Sequence, residues 1–397
     1  MEADADDLRA RVLRFVEEVV YPREAELEAA DDATRDALLR TLSDQARSAG
    51  LWALGHPREL GGGGLSFMAY VRINEVIGRS YWAMLALGTA SLQDSLMVWR
   101  HGTPAWHERY LRPIVAGEFL PSFAMTEPEV SSSDPTQLAT TAHLEDGHWV
   151  VNGRKWFTTG AAQARYTTVM CRTEDADAPA HGAFSLIIVP TDAPGYRIVR
   201  DLPALGIAGN HYEIALEDLR VPEDHLLGRR GAGFAIAQER LGPGRIFHCM
   251  RWLGQAQRAF DLMCRRLHAR SAFGEALAEK QLMQAHVFES AAEIRSAREL
   301  TLAAARRMDS GDQARDEIAV IKVLGARMLH NVIDRAIQVY GAAGLTPDTP
   351  LSVMYRHARE ARIYDGPDEV HMQSVARRLL KAYRDDGPGI DFGAEPA

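Results

Sequence analysis

Residues 148–159 read His-Trp-Val-Val-Asn-Gly-Arg-Lys-Trp-Phe-Thr-Thr. The β-branched and aromatic side chains of this run favour a pleated strand over a helix. Asn152-Gly153, flanked by apolar residues, signals a two-residue hairpin, because both residues tolerate the positive φ of a type I′ turn. On the returning strand Trp156 and Thr158 are two apart and are expected to face one side of the sheet. The same texture continues through ARYTTVMCRT (164–173), AFSLIIVP (183–190), YRIVRDL (196–202) and HYEIALEDLRVP (211–222). Residues 121–228 therefore form a β-domain.

On either side the period changes to that of helices. Leu8, Val12, Phe15, Val16 and Val19 recur at helical spacing, as do Leu38, Leu39 and Leu42, and Tyr70, Ile73 and Ile77. Residues 1–120 read as an N-terminal helical domain. Residues 229–385 read as a C-terminal domain of four-helix-bundle type, broken at Leu241-Gly242-Pro243-Gly244, where Pro243 can only kink or start a helix. Residues 386–397 read as a disordered tail. The fold class is α+β, in the order helical domain, β-domain, helical domain. At 397 residues the chain exceeds the size of one hydrophobic core, so two or three packed units are expected.

Composition excludes several functions. With 46% hydrophobic residues, 25% charged residues and a formal charge of -9, the chain is an ordinary globular protein and a poor ligand for nucleic acid or an anionic membrane. Cys171, Cys249 and Cys264 are an odd number without metal-ligand spacing, so neither a disulfide framework nor a metal is indicated. The acidic N-terminus lacks the basic and apolar regions of a secretory signal, and no apolar run has membrane-spanning length, so a soluble, cytoplasmic protein is expected. Lysine occurs only at 155, 280, 322 and 381, none of them in a GxxxxGK[ST] phosphate loop, which argues against ATP hydrolysis. The glycine run 61–64 has no preceding strand and reads as a connection between helices.

The segment Ala124-Met125-Thr126-Glu127-Pro128, followed by Ser131-Ser132-Ser133-Asp134, is a polar loop where helix gives way to sheet. Its hydroxyls and backbone N–H groups suit a flavin or a pyrophosphate, although many loops offer as much. Near the other end, Asp365-Gly366-Pro367-Asp368-Glu369 reads as a helix start, with proline at the first helical position and acids in the first turn.

AMTEPEVSSSDP (124–135) resembles the TEPxxGSD signature of the acyl-CoA dehydrogenase superfamily, and WVVNGRKWFTTG (149–160) resembles its second flavin-contacting segment. ARSAFG (269–274) with Gln281, IQVYGAAG (337–344) and ARIYDGPDEV (361–370) resemble three further family segments in the family's order. LGPGRIFHCMR and DGPDEVH are similar to the branch of family members ten and eleven, in which the base position is Asp.

The resemblance implies an FAD enzyme that removes two hydrogens across the α,β-carbons of an acyl-CoA. It implies that Met125, Thr126 and Ser132 line the flavin, that Trp156 packs on its ring and that the Thr158 hydroxyl reaches N5. Arg270, Phe273, Gln281, Gln338 and Gly341 would contact an FAD held mainly by a neighbouring subunit, and Glu369 would also touch cofactor. Asp365 would take the α-proton, Arg245 would orient the active site, and Ser132, Arg245, Tyr364 and Gly366 would meet substrate. Electron-transferring flavoprotein is the implied acceptor and a homodimer or homotetramer the implied assembly.

The chain also departs from the family pattern. Glu129, Val130 and Ser131 stand where the family has small glycines, Ala342 replaces a second glycine, Pro367 replaces a cofactor-touching threonine, and Gly242 replaces a common acid. Gly244 occupies the position where some branches of the family place their catalytic Glu; glycine cannot serve, which strengthens the resemblance's assignment of Asp365 as the base. Two other readings stay open: a flavin oxidase of nitroalkane-oxidase type, and a dehydrogenase of carrier-protein-bound acyl groups.

Overall fold

The computed structural model describes residues 2–175, 177–384, 387 and 389–392. The expected tail, 386–397, falls mostly outside them. The chain divides into two compact units, 22–66 with 84–243, and 1–21 with 67–83 and 244–397.

The first unit is built on an eight-stranded mixed sheet. Its strands are β1 (Ser122–Ala124), β2 (Thr141–Glu145), β3 (His148–Thr159), β4 (Tyr166–Arg172), β5 (Phe184–Pro190), β6 (Tyr196–Asp201), β7 (His211–Pro222) and β8 (Leu226–Leu227). The order is β6-β7-β3-β2-β4-β5-β8, with β1 parallel to β4. Strands β4 and β5 are covered on both faces. Tyr166, Met170, Phe184, Leu186 and Ile188 join a core with Met97, Val98, Trp106, Tyr110 and Leu111 from the unit's helices. Val169, Cys171, Ile187 and Val189 alternate with them, into a second core with Trp149, Val151, Ile214 and Leu219. Burial on both faces explains why β5 is a nearly continuous apolar run.

The hairpin expected at Asn152-Gly153 does not form. Strand β3 runs unbroken through both residues, and the tight turn lies six positions earlier at Asp146-Gly147, whose φ values are +48° and +72°. Asn152 is spent on a β-bulge instead: its side chain accepts from Asp218 N at 2.8 Å and donates to Asp218 Oδ1 at 3.1 Å. Gly153 is needed because a Cβ there would overlap Thr140. A second shift between Lys155 and Thr158 pairs these two with Ile214 and Tyr212, so two residues of β3, Trp156 and Phe157, lie opposite one of β7, Glu213. The simple alternation that would put Trp156 and Thr158 on one face is broken there, at Phe157, whose φ is +49°.

The second unit is helical. Helices Glu2–Phe15 and Phe67–Ile77 pack on each other, and Gln281–Asp309 lies along Arg315–Tyr340, which also carries Leu351–Glu360 and Asp368–Lys381. Helix Arg315–Tyr340 is the bundle's central element, with Ile318, Ile321, Met328, Leu329, Val332, Ile333 and Ala336 all buried. The expected break at 241–244 is absent: the helix Gly233–Ala269 continues through Pro243. A proline there costs one backbone bond and some crowding; burial of Ile236 and Ala237 before it, and of Ile246, Phe247, Cys249 and Met250 after it, outweighs that cost. Among the described residues no helix is long and apolar enough to cross a membrane.

Candidate functional site

In the sheet unit, the loop after β1 is tied to the far half of β3. Trp156 N donates to Thr126 O at 3.0 Å and Thr126 Oγ1 donates to Trp156 O at 2.6 Å. Lys155 Nζ donates to Met125 O at 2.9 Å and to Glu127 Oε1 at 2.8 Å, with the Lys155 and Glu127 side chains only 0% and 3% exposed. Glu127 also accepts from the backbone N–H groups of Ala139 and Thr140, at 2.7 and 2.9 Å. Burial opposes its ionisation, but Lys155 and these bonds prevail and hold its pKa below the usual carboxylate range. Ser132 Oγ accepts from Glu127 N at 2.9 Å. Met125, Thr126, Ser132 and Trp156 are thus brought together on one loop-and-strand platform.

Thr158, fully buried on the same strand, has no hydrogen-bond partner for its hydroxyl. An orphaned buried hydroxyl costs about 1–3 kcal/mol unless a ligand completes it, and a flavin ring nitrogen is an acceptor of the right kind. Within this unit, the orphaned Thr158 hydroxyl and the half-buried Trp156 fit a flavin.

In the helical unit, a second constellation forms on the loop before helix Asp368–Lys381. Asp365 has φ +55°, a left-handed conformation that costs a non-glycine residue roughly 1–2 kcal/mol. Two side chains hold it there through its carbonyl, which accepts from Arg245 Nε at 3.0 Å and from His371 Nε2 at 3.1 Å. Gly366 follows with φ +98°, and a Cβ there would lie 2.8 Å from His371 Nε2. Tyr364 accepts from Trp252 Nε1 at 2.9 Å, and its phenol is pushed up by burial. Lys322 Nζ donates to Ala361 O at 2.7 Å. Burial lowers the Lys322 pKa to about 8, against the pull of Asp365 and Asp368.

The three acids of this loop differ in their surroundings. Asp368, 1% exposed, receives Arg362 Nε at 3.0 Å and Arg327 Nε at 3.2 Å. Glu369 is exposed. Asp365 keeps its carboxylate 21% exposed, with Oδ2 3.3 Å from His248 Nε2. Pro367 caps the helix that begins at Asp368 and is not its first residue, so the acids occupy the first turn as expected.

Arg270, Phe273, Gln281, Gln338 and Gly341 are all exposed. Phe273 is 98% exposed and sits at φ +54° in the two-residue turn of a small hairpin, Ser271–Ala272 with Glu275–Ala276. Sequence reading missed Lys155, Lys322, His248 and His371. The one available signal was scarcity: two of the chain's four lysines, Lys155 and Lys322, are fully buried beneath these loops.

Three acyl-CoA dehydrogenase domains match along the chain: the N-terminal domain over residues 2–118, the middle domain over 122–219 and the C-terminal domain over 231–380. The chain is 42% identical to the Mycobacterium tuberculosis protein named probable acyl-CoA dehydrogenase FadE2, over 96% of each. It is 40% identical to acyl-CoA dehydrogenase family member 10 of Mus musculus, over 94% of this chain and 37% of that protein. It therefore spans nearly all of the first relative and well under half of the second. A solved Mycobacterium abscessus structure superposes with a TM-score of 0.91 at 36% identity, covering 96% of this chain and 99% of that one. The acyl-CoA dehydrogenase of Geobacillus kaustophilus superposes with a TM-score of 0.84 at 26% identity, over 95% and 98%.

Proposed function

The chain belongs to the acyl-CoA dehydrogenase family of oxidoreductases acting on CH–CH bonds, and from that premise we propose that it desaturates an acyl-CoA thioester with FAD, Asp365 removing the α-proton. The observation that carries this reading is the contrast among the three acids. The Asp368 carboxylate is clamped between two arginines, whereas Asp365 has its backbone fixed by Arg245 and His371 and its carboxylate accessible. A base must be held still while its oxygens stay within reach of the proton.

Met125, Thr126, Ser132, Trp156 and Thr158 would hold FAD, with Arg270, Phe273, Gln281, Gln338 and Gly341 reaching the FAD of a second subunit and Glu369 contributing a contact. When bound, FAD supplies the hydride acceptor, its N5. Ser132, Arg245, Tyr364 and Gly366 would meet the substrate, and Asp365 takes the α-proton as the β-hydride departs. The assembly is a homodimer or homotetramer, and the electrons pass to an electron-transferring flavoprotein.

The test is an anaerobic titration of the purified, yellow protein with a panel of acyl-CoAs, following loss of the flavin's visible absorbance. Bleaching by one chain-length class supports the reading. A colourless protein that takes up no FAD, or a flavin that no acyl-CoA bleaches, overturns it.

A further inference from the structure

His248 stands three residues after Arg245 on the helix Gly233–Ala269, and its two ring nitrogens have different neighbours. Nδ1 lies 2.9 Å from Arg251 Nη2. A guanidinium has donors and no acceptor, so Nδ1 must be the acceptor. That leaves the ring's proton on Nε2, the nitrogen 3.3 Å from Asp365 Oδ2. We propose that Arg251 and His248 form a positioning relay for the base: Arg251 fixes His248 as its neutral Nε2–H tautomer, and His248 donates to Asp365 Oδ2, orienting the carboxylate that takes the α-proton.

The arrangement separates two tasks. Arg245 and His371 bond the carbonyl of Asp365 and hold its main chain. His248 orients the Asp365 carboxylate. The 3.3 Å separation is long for a hydrogen bond to a carboxylate, as catalytic pairs often are before substrate closes on them. The tilted ring of Tyr364, 5.1 Å from the imidazole, limits its rotation. Other ionisable groups that interact with Asp365 are Arg245 and Cys249 on the helix of His248, Lys322 on Arg315–Tyr340, the adjacent Tyr364, and His371 on Asp368–Lys381. His371 stays neutral, its pKa lowered to about 4 by burial and then by Arg245.

This inference rests on Asp365 being the base, and the experiment keeps the two apart. Single-turnover flavin reduction with a bleaching acyl-CoA is measured against pH for the holoenzyme and for Asp365→Asn, His248→Leu, His248→Gln and Arg251→Met. FAD content and melting temperature serve as folding controls. His248→Leu is expected to slow reduction by roughly 100-fold with KM nearly unchanged, through misplacement of the base. His248→Gln, which retains an N–H donor, should recover most of the rate. Arg251→Met frees Nδ1 to take a proton near an ordinary histidine pKa of about 6.5. It should add an acid limb there, because a cationic imidazole beside Asp365 lowers its proton affinity.

The tautomer is also read without turnover, from the nitrogen-15 spectrum of histidine-labelled protein, with His248→Gln as the assignment control. A neutral Nε2–H ring that persists below about pH 6 in the wild type and not in Arg251→Met supports the relay. An Nδ1–H or cationic ring at that pH in the wild type overturns it. So does wild-type flavin reduction by His248→Leu, or an unchanged pH profile in Arg251→Met, while Asp365→Asn is inactive. If Asp365→Asn itself reduces flavin, the base assignment fails instead.

Discussion

Lys155 and Glu127 form an ion pair 2.8 Å long with almost no exposure, and the same ammonium bonds the carbonyl of Met125. The pair fastens the loop carrying Met125, Thr126 and Ser132 to strand β3. Lys155→Met would leave a buried carboxylate unpaired, at a cost of about 3–5 kcal/mol. Urea unfolding should show that loss together with weaker FAD retention, and Lys155→Met combined with Glu127→Gln should be more stable than Lys155→Met alone. An unshifted midpoint in the single variant would remove the pair from the list of what holds the platform.

Asp365→Asn keeps shape and removes basicity. It should bind FAD and acyl-CoA while flavin reduction falls by about 10²–10⁴-fold, the usual worth of a general base. Asp368→Asn should do the reverse, lowering the melting temperature because Arg327 and Arg362 lose their shared partner, with reduction largely kept. Rapid-mixing absorbance and thermal scans separate the two. Normal reduction by Asp365→Asn would send the search for the base elsewhere.

Phe273 is costly where it stands, an exposed aromatic in a left-handed turn. Phe273→Gly should relieve roughly 1 kcal/mol of strain within the hairpin yet loosen FAD, and Arg270→Ala should weaken FAD retention by about tenfold, a single lost charge-assisted bond. Light scattering and equilibrium dialysis measure both effects. A monomer that keeps FAD and full activity would dismiss the role of this hairpin in a second subunit's site.

His56 and His371 are each held near pKa 4, His56 by burial and His371 by burial and then by Arg245. Both are neutral in the folded chain at pH 6, whereas unfolded histidine titrates near 6.5. The unfolded state therefore binds more protons between about pH 6.5 and 4, so stability is present above that window and lost as pH falls through it. The loss is on the order of 3 kcal/mol for the fully buried His56 and smaller for His371, which solvent partly screens. Unfolding midpoints measured across this window should decline on acidification, and His371→Asn should flatten the decline. An equal slope in that variant would show that His371 does not contribute.

Much of this molecule follows from local chemistry along the chain. The period of apolar residues marked helix, strand and helix in order, because a helix face and a strand face repeat at 3.6 and 2 residues regardless of what they pack against. The motifs around Thr126, Thr158 and Asp365 were legible for the same reason: each is contiguous. Contacts distant in sequence were not. Asn152-Gly153 has the composition of a turn, yet Asp218, 66 residues further along the chain, bonds Asn152 and makes it a bulge. Pro243 has the composition of a break, yet burial on both sides of it keeps the helix whole. Lys322, His248 and His371 come from three different helices and meet only around one strained loop. No spacing encodes that meeting, because packing free energy depends on which surfaces exclude water together, and that is a property of the folded chain.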